Sequence, residues 1–379
     1  MKESEQVQVL QDLIRIHSAN GNEIEVATYL KQLLAEHGIA AQIDEFGDRR
    51  ANLTAQIGRG SDDRVLGLTG HMDTVAINSP KSWQHDPFGG EIVGERLYGR
   101  GAADMKSGLA AEVLALIELQ ETGELPNGTV KLIATAGEEL GTPGANRLAS
   151  QGAANELSAL VVGEPTGGNV IFAHSGSLNY EVTSTGKTAH SSMPAQGINA
   201  ITGLVKFIKA ESSLFADAPV DPYLGKVQHS VTVIEGGHQV NSIPDTAKLE
   251  GNIRPTPACD NQEVAARLNR VIDQINHQTP FHLKLNIFWD YHPISTDPNS
   301  DFVQSALQAA QRFFPSPVKT GIINGATDAS VFRRQRPDLP VIVLGSDAWD
   351  VAHATDEYTT IPAYHATIET YKQIIRDFF

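Results

Sequence analysis

"TVKLIATAGEELGTPGANRLASQGAANELSALVVGEPT", residues 129–166, decides the fold. It opens on a continuous apolar run at 129–136, passes through a helix-patterned stretch at 143–152, and closes on a second apolar run at 158–163. A strand with one wet face alternates apolar and polar residues. A run that is apolar at nearly every position belongs to a strand covered on both faces, as in a parallel sheet sandwiched between helices. Both runs end in acids: Glu138 and Glu139 after the first, Glu164 after the second.

Outward from this unit the same alternation continues. Strand-like runs at 40–46, 52–58 and 64–70 precede a long helical stretch, 104–123, that begins near Asp104. Two amphipathic helices open the chain at 5–18 and 22–38, the second stopped by Gly38. Near residue 176 the pattern changes. A strand at 177–187, a helix at 197–212, strands at 227–237 and 246–256, a helix at 261–278 and a strand at 282–290 follow in the order β-α-β-β-α-β. That order is the one a ferredoxin-like sandwich uses. A helix at 302–314, a buried strand at 339–345 and a closing helix at 364–379 then resume the first pattern. The expectation is an α/β protein in which residues 1–175 and 291–379 form one domain and 176–290 an inserted one.

Composition fits that picture. A chain of 379 residues exceeds one ordinary core, and 41% hydrophobic with 20% charged residues is typical of globular proteins. A formal charge of −16 argues against nucleic acid or an anionic membrane as partner. The single cysteine, Cys259, excludes a disulfide framework and a cysteine-rich metal site. The opening residues are charged and helix-patterned, and no window is apolar over the roughly 18 residues a membrane span needs. The expected location is the cytoplasm.

Several polar signatures fall where strands end: "GHMDTV" (70–75), "GRGAADMKSG" (99–108), "AGEELG" (136–141), "GEPT" (163–166) and "AHATDEY" (352–358). Open α/β sheets bind ligands beyond the carboxyl ends of their strands. Each signature alone also has a plain structural reading. His71 can close a strand with Asp73 in the turn, Asp104 can cap a helix, and Glu138 with Glu139 can be a solvated turn. Glu164 can hold a loop, and His353 can sit on the surface. Taken together they favour metal. His71, Asp104, Glu139, Glu164 and His353 would place three carboxylates and two imidazoles in one cleft, where unbalanced acids repel one another and take up protons. Two divalent ions and one hydroxide would leave the set nearly neutral. Nitrogen and oxygen ligands without thiolate suit zinc, with cobalt or manganese as substitutes. Glu138, left unligated, could then act as general base.

At these residues the sequence resembles the co-catalytic zinc amidohydrolases, the family of succinyl-diaminopimelate desuccinylase, acetylornithine deacetylase, aminoacylase and glutamate carboxypeptidase. "GKTAHSSMPAQGINA" (186–200), "GNIRP" (251–255) and "NGATDAS" (324–330) extend the likeness in the family's order over nearly the whole chain. The resemblance implies His71 and Glu164 on one zinc, Glu139 and His353 on the other, and Asp104 bridging. Asp73 would orient His71, and Glu138 would be the general base. It further implies a homodimer formed through the inserted domain, with His190 reaching the partner's site to stabilise the oxyanion. Arg254 would grip a substrate carboxylate, near Asn241, Gly325 and Thr327. The implied substrate is a small N-acyl amino acid. Length and motifs are most similar to succinyl-diaminopimelate desuccinylase, then acetylornithine deacetylase, then a dipeptidase or aminoacylase. A catalytically silent ligand-binding relative is the rival from outside the enzymes. Gly137 stands where many relatives carry aspartate, and Asp356 where they often carry asparagine; "NGATDAS" varies the usual Gly-Gly-Thr-Ser-Asp run.

Overall fold

The computed structural model describes residues 1–347 and 349–379. The chain divides into two compact units, one of Met1–Phe172, Ser295–Gly321 and Thr327–Phe379, the other of Ala173–Ile294 and Ile322–Ala326.

The first unit opens with α1 (Glu3–Arg15) and α2 (Glu23–Glu36). Its sheet is built on β1 (Ala41–Glu45), β2 (Ala51–Gly58), β3 (Val65–His71), β4 (Thr129–Thr135) and β5 (Ala159–Val162), in the spatial order β1-β2-β4-β3-β5. β4, β3 and β5 run parallel, and Val341–Val343 adds a fourth parallel strand beside β5. The two ends of this parallel core are antiparallel: β2 pairs with β4, and Val343 pairs with Ile171. The residues of β5 are buried throughout, as a strand covered on both faces requires.

α3 (Lys106–Thr122) is buried on all sides from Lys106 to Leu119, so its apolar sequence carries no exposed stripe. It packs directly on the end of β5: a Cβ at Gly108 would lie 1.8 Å from the Gly163 carbonyl oxygen. Only glycine permits that approach, which holds the residue before Glu164 against the helix. α4 (Pro143–Ser150) crosses from β4 towards β5.

The second unit carries β6 (Ser177–Thr185), α5 (Ala200–Glu211), β7 (Gln228–Gly236), β8 (Thr246–Arg254), α6 (Asn261–Gln278) and β9 (His282–Tyr291). Its four-stranded sheet is antiparallel in the order β7-β8-β6-β9. Alternate residues Leu178, Tyr180 and Val182 of β6 join Leu249 and Ile253 of β8 under Leu204, Phe207 and Leu268 of the helices. The chain returns to the first unit with α7 (Asp301–Phe313), α8 (Ala329–Gln335) and α9 (Ile361–Phe378). A three-stranded sheet of Glu91–Val93, Arg96–Tyr98 and Tyr358–Thr360, absent from the sequence expectation, ties the loop after β3 to the segment that follows His353. Among the described residues no helix is long and apolar enough to cross a membrane.

Candidate metal centre

The parallel register explains why distant residues meet. His71 ends β3 opposite Thr135 of β4, while β5 lies on the other side of β3. Neighbouring strands are roughly 4.8 Å apart, so whatever follows their ends shares one small space. His71 lies there, with the turn Gly137–Glu139 two residues past β4 and Glu164 two residues past β5. Asp104 arrives from the loop leading into α3, and His353 from the loop before Tyr358.

Asp104 is the hub. Its Oδ1 lies 3.1 Å from His71 Nε2 and its Oδ2 lies 3.2 Å from His353 Nε2. Glu164 Oε1 sits 3.7 Å from His71 Nε2, and Glu139 Oε1 is 2.8 Å from His353 Nε2. Each imidazole therefore faces one oxygen of the shared carboxylate and one terminal carboxylate. Single atoms of His71, Asp104 and Glu139 all fall within 4.8 Å of one another, the spacing of groups able to hold an ion. His71 is 1% exposed and Asp104 6%, whereas the His353 side chain is 50% exposed, so one half of the cluster opens to solvent.

Electrostatics match a site short of positive charge. Burial alone would lower the pKa of His71, but the hydrogen bond to Asp104 and the charges of Glu164 and Asp73 hold it well above the ordinary imidazole value. His353 is raised to about 10 by its hydrogen bonds to Asp104 and Glu139. Burial, then the Asp104 charge, pushes the Glu164 carboxyl well above its usual range. Its Oε2 is buried and has no hydrogen-bond partner among the described residues. An orphaned carboxylate oxygen and imidazoles that gather protons are what metal-ligand sets show, because a dication displaces those protons. The donor set of two nitrogens and three carboxylates, with two atoms of one carboxylate dividing it, fits two ions.

Asp73 meets both His71 and the turn that follows β4. His71 Nδ1 meets the Asp73 backbone carbonyl at 2.9 Å, with the carboxylate at 3.6 Å. That carboxylate, fully buried, instead accepts backbone N–H bonds from Gly137 (2.7 Å), Glu138 (3.1 Å) and Glu139 (3.2 Å). It thus fixes the turn that carries both glutamates. Glu138 is partly exposed; burial of its carboxyl pushes the pKa well up, opposed by His71 and reinforced by Glu164, Glu139 and Asp328.

Two departures from the family pattern have local causes. Gly137 has φ of 78°, and a Cβ there would lie 2.3 Å from Arg50 Nη1 and 2.8 Å from Pro143 Cγ. A side chain at this position would meet both strain and crowding. Asp356 sits at φ of 54°, a conformation Asn and Asp tolerate, and its Oδ1 accepts from the Gln84 and His85 N–H groups at 2.8 and 3.2 Å. That cap uses only an acceptor oxygen, so aspartate serves as well as asparagine. Asp328, unremarked in the sequence, is buried with its pKa raised to about 6 by burial, and accepts a hydrogen bond from the Thr135 hydroxyl.

Thr327 belongs to the first unit and is fully buried; its hydroxyl accepts from the Ala329 N–H at 3.2 Å. His190, Asn241, Arg254 and Gly325 belong to the second unit. There the Ser192 N–H donates to His190 Nδ1 at 3.2 Å, which in a neutral ring leaves the proton on Nε2. Arg254, last residue of β8, is partly buried, and desolvation lowers its pKa.

Residues 67–377 match the model of peptidase family M20/M25/M40. A probable succinyl-diaminopimelate desuccinylase of Staphylococcus aureus (strain MRSA252) is 35% identical over 398 residues, covering 98% of this chain and 97% of the relative. The crystal structure of the M20 family metallo-carboxypeptidase Sso-CP2 from Sulfolobus solfataricus superposes with a TM-score of 0.81 at 20% identity, over 99% of each chain. Bacillus subtilis YXEP, described as a dinuclear metal binding peptidase of the M20 family, superposes at 0.74 with 19% identity, over 98% of this chain and 97% of that one.

Proposed function

The chain belongs to peptidase family M20/M25/M40 and is a metal-dependent hydrolase; from that premise we propose that it cleaves the amide of an N-acylated, carboxylate-bearing amino acid, succinyl-diaminopimelate foremost, at a pair of zinc ions. The observation that carries the dinuclear reading is Asp104, which offers one oxygen to each imidazole while each imidazole faces its own terminal carboxylate. YXEP, similar in fold, is described as dinuclear. The substrate reading is supported by the desuccinylase name of a relative similar along almost its whole length.

In this reading His71 and Glu164 hold one ion, Glu139 and His353 the other, and Asp104 both. Bound there, the ions would supply Lewis acidity towards the amide carbonyl and make water a better nucleophile. Glu138 takes a proton from the attacking water as the water oxygen adds to the carbonyl carbon. It then delivers the proton to the departing amine nitrogen as the C–N bond breaks, so that water and amide become carboxylate and amine. Asp73 keeps Glu138 and Glu139 in register through three backbone bonds. The His190 Nε2–H is the oxyanion donor. Arg254, for which no carboxylate partner is found among the described residues, anchors a carboxylate of the substrate, and Asn241, Gly325 and Thr327 are the further substrate-binding residues of this reading. The chain acts as a cytoplasmic homodimer joined through its second unit, each His190 serving the partner's site.

The test is metal removal followed by a substrate panel. Dialysis against a chelator abolishes hydrolysis and zinc or cobalt restores it; activity that survives full metal removal refutes the reading. Among succinyl-diaminopimelate, acetylornithine, simple N-acyl amino acids and dipeptides, the first gives the highest kcat/KM. A dipeptide that outpaces it refutes the substrate assignment.

A further inference from the structure

Four residues beyond His353, the side chain of Glu357 is fully buried. Its Oε1 accepts the backbone N–H groups of Ala103 and Asp104 at 2.9 and 3.0 Å. Its Oε2 pairs with Nη1 of Arg100, itself buried. Arg100 completes the circuit by donating from Nη2 to the His353 carbonyl at 3.3 Å, and its guanidinium lies over Trp83. The Gly99 N–H donates to the Glu357 carbonyl at 2.9 Å. One carboxylate thus fastens the loop that carries Asp104 to the loop that carries His353.

A shared carboxylate has a narrow tolerance. Asp104 presents Oδ1 to His71 and Oδ2 to His353 at nearly equal distances, 3.1 and 3.2 Å. A shift of a few tenths of an ångström, or a small rotation about its Cα–Cβ bond, improves one contact at the expense of the other. The Asp104 amide is the atom Glu357 pins, and the His353 carbonyl is the atom Arg100 pins. Relative placement of the two loops therefore passes through the Glu357–Arg100 pair.

Resting on the dinuclear reading above, we propose that Glu357 is a positioning residue of the metal pair, which sets where the bridging carboxylate stands relative to His353. The acceptor-only chemistry of a carboxylate is required. Glutamine has one acceptor oxygen: turned to the two backbone amides, it points its NH2 at the Arg100 guanidinium, and turned the other way it points NH2 at two N–H donors. Groups that orient metal ligands from behind typically change affinity by 10–100-fold when removed.

The experiment titrates metal-free, full-length wild type and Glu357→Gln with zinc by calorimetry and records the visible spectrum of each after cobalt loading. Wild type takes up two ions per chain. Glu357→Gln, folded by circular dichroism, binds at least one of them about 10–100-fold more weakly, shows an altered cobalt spectrum, and loses kcat with little change in KM. Should Glu357→Gln fail to fold, Arg100→Lys, which keeps the charge but lacks the fork, shows the same changes in weaker form. Wild type that takes up fewer than two ions overturns the dinuclear reading and this inference with it. Two ions in wild type, with unchanged affinity and spectrum in the folded variant, overturn the role of Glu357 alone. A variant whose metal-free form melts earlier but binds both ions normally also overturns that role, since Glu357 then serves only the stability of the fold.

Discussion

Replacing Asp73 by asparagine should loosen the Gly137–Glu139 turn while leaving the rest of the sheet intact. The carboxylate accepts two N–H bonds on Oδ1 and one on Oδ2, all in a fully buried position. Asparagine keeps one oxygen. In its better orientation it retains the bonds from Gly137 and Glu138 and turns its NH2 towards the Glu139 N–H, two donors face to face. A buried donor left unpaired costs about 1–3 kcal/mol, and the two surviving bonds lose the part of their strength that came from charge, about 1 kcal/mol more. A local loss of about 2–4 kcal/mol corresponds to opening equilibria roughly 30–1000-fold larger. Hydrogen exchange read by mass spectrometry on a peptide spanning 136–141 measures this directly, with a peptide from β5 as the internal control. Activity should fall as well, because Glu138 and Glu139 hang from the same turn and a displacement near 1 Å can cost about a hundredfold. Exchange within threefold of wild type at Gly137–Glu139 would refute the claim that Asp73 holds the turn.

Two further predictions concern acids whose environments differ. Glu138→Ala should keep both ions, measured as metal per chain, and lose roughly 10²–10⁴-fold in turnover; near-normal turnover removes it as the base. Glu112, on α3, is fully buried, and among the described residues neither carboxyl oxygen has a hydrogen-bond partner; burial pushes its pKa well up, opposed by the Thr69 backbone. The folded state therefore holds a proton that the unfolded chain releases above about pH 4.3. Stability contributed by this group falls as pH rises from that value towards the folded pKa. Glu112→Met should accordingly stabilise the protein by about 1–3 kcal/mol, more at pH 8 than at pH 5. Thermal unfolding of the metal-free protein at both values checks it, and an equal shift at the two pH values contradicts the account.

What could be read in the chain, and what could not, follows from where each kind of information resides. β4 and β5 are legible because runs of apolar residues record burial on both faces, and the length of α3 separates it from a strand. Glu91–Val93, Arg96–Tyr98 and Tyr358–Thr360 are three residues each, too short for any period to register, and their pairing depends on the loop after β3 meeting residues more than 250 positions away. The site divides in the same way. His71, Asp104, Glu139, Glu164 and His353 stand out because the side-chain types able to hold a metal are few and these lie where strands end or in the loops that meet them. The tasks of Asp73 and Glu357 are different in kind. Their partners are the backbone N–H groups of Gly137, Glu138, Glu139, Ala103 and Asp104, and every residue except proline offers that donor. A sequence marks the acceptor but leaves the donor unmarked, so such carboxylates look like spare acids beside a motif until the fold brings the amides to them. Asp73 shows this: its carboxylate lies 3.6 Å from His71 Nδ1, while the three amides of the next turn donate to its oxygens. The turn that carries Glu138 is thus linked to the His71 ring through one residue, Asp73, whose carbonyl meets that ring and whose carboxylate accepts the three amides of the turn.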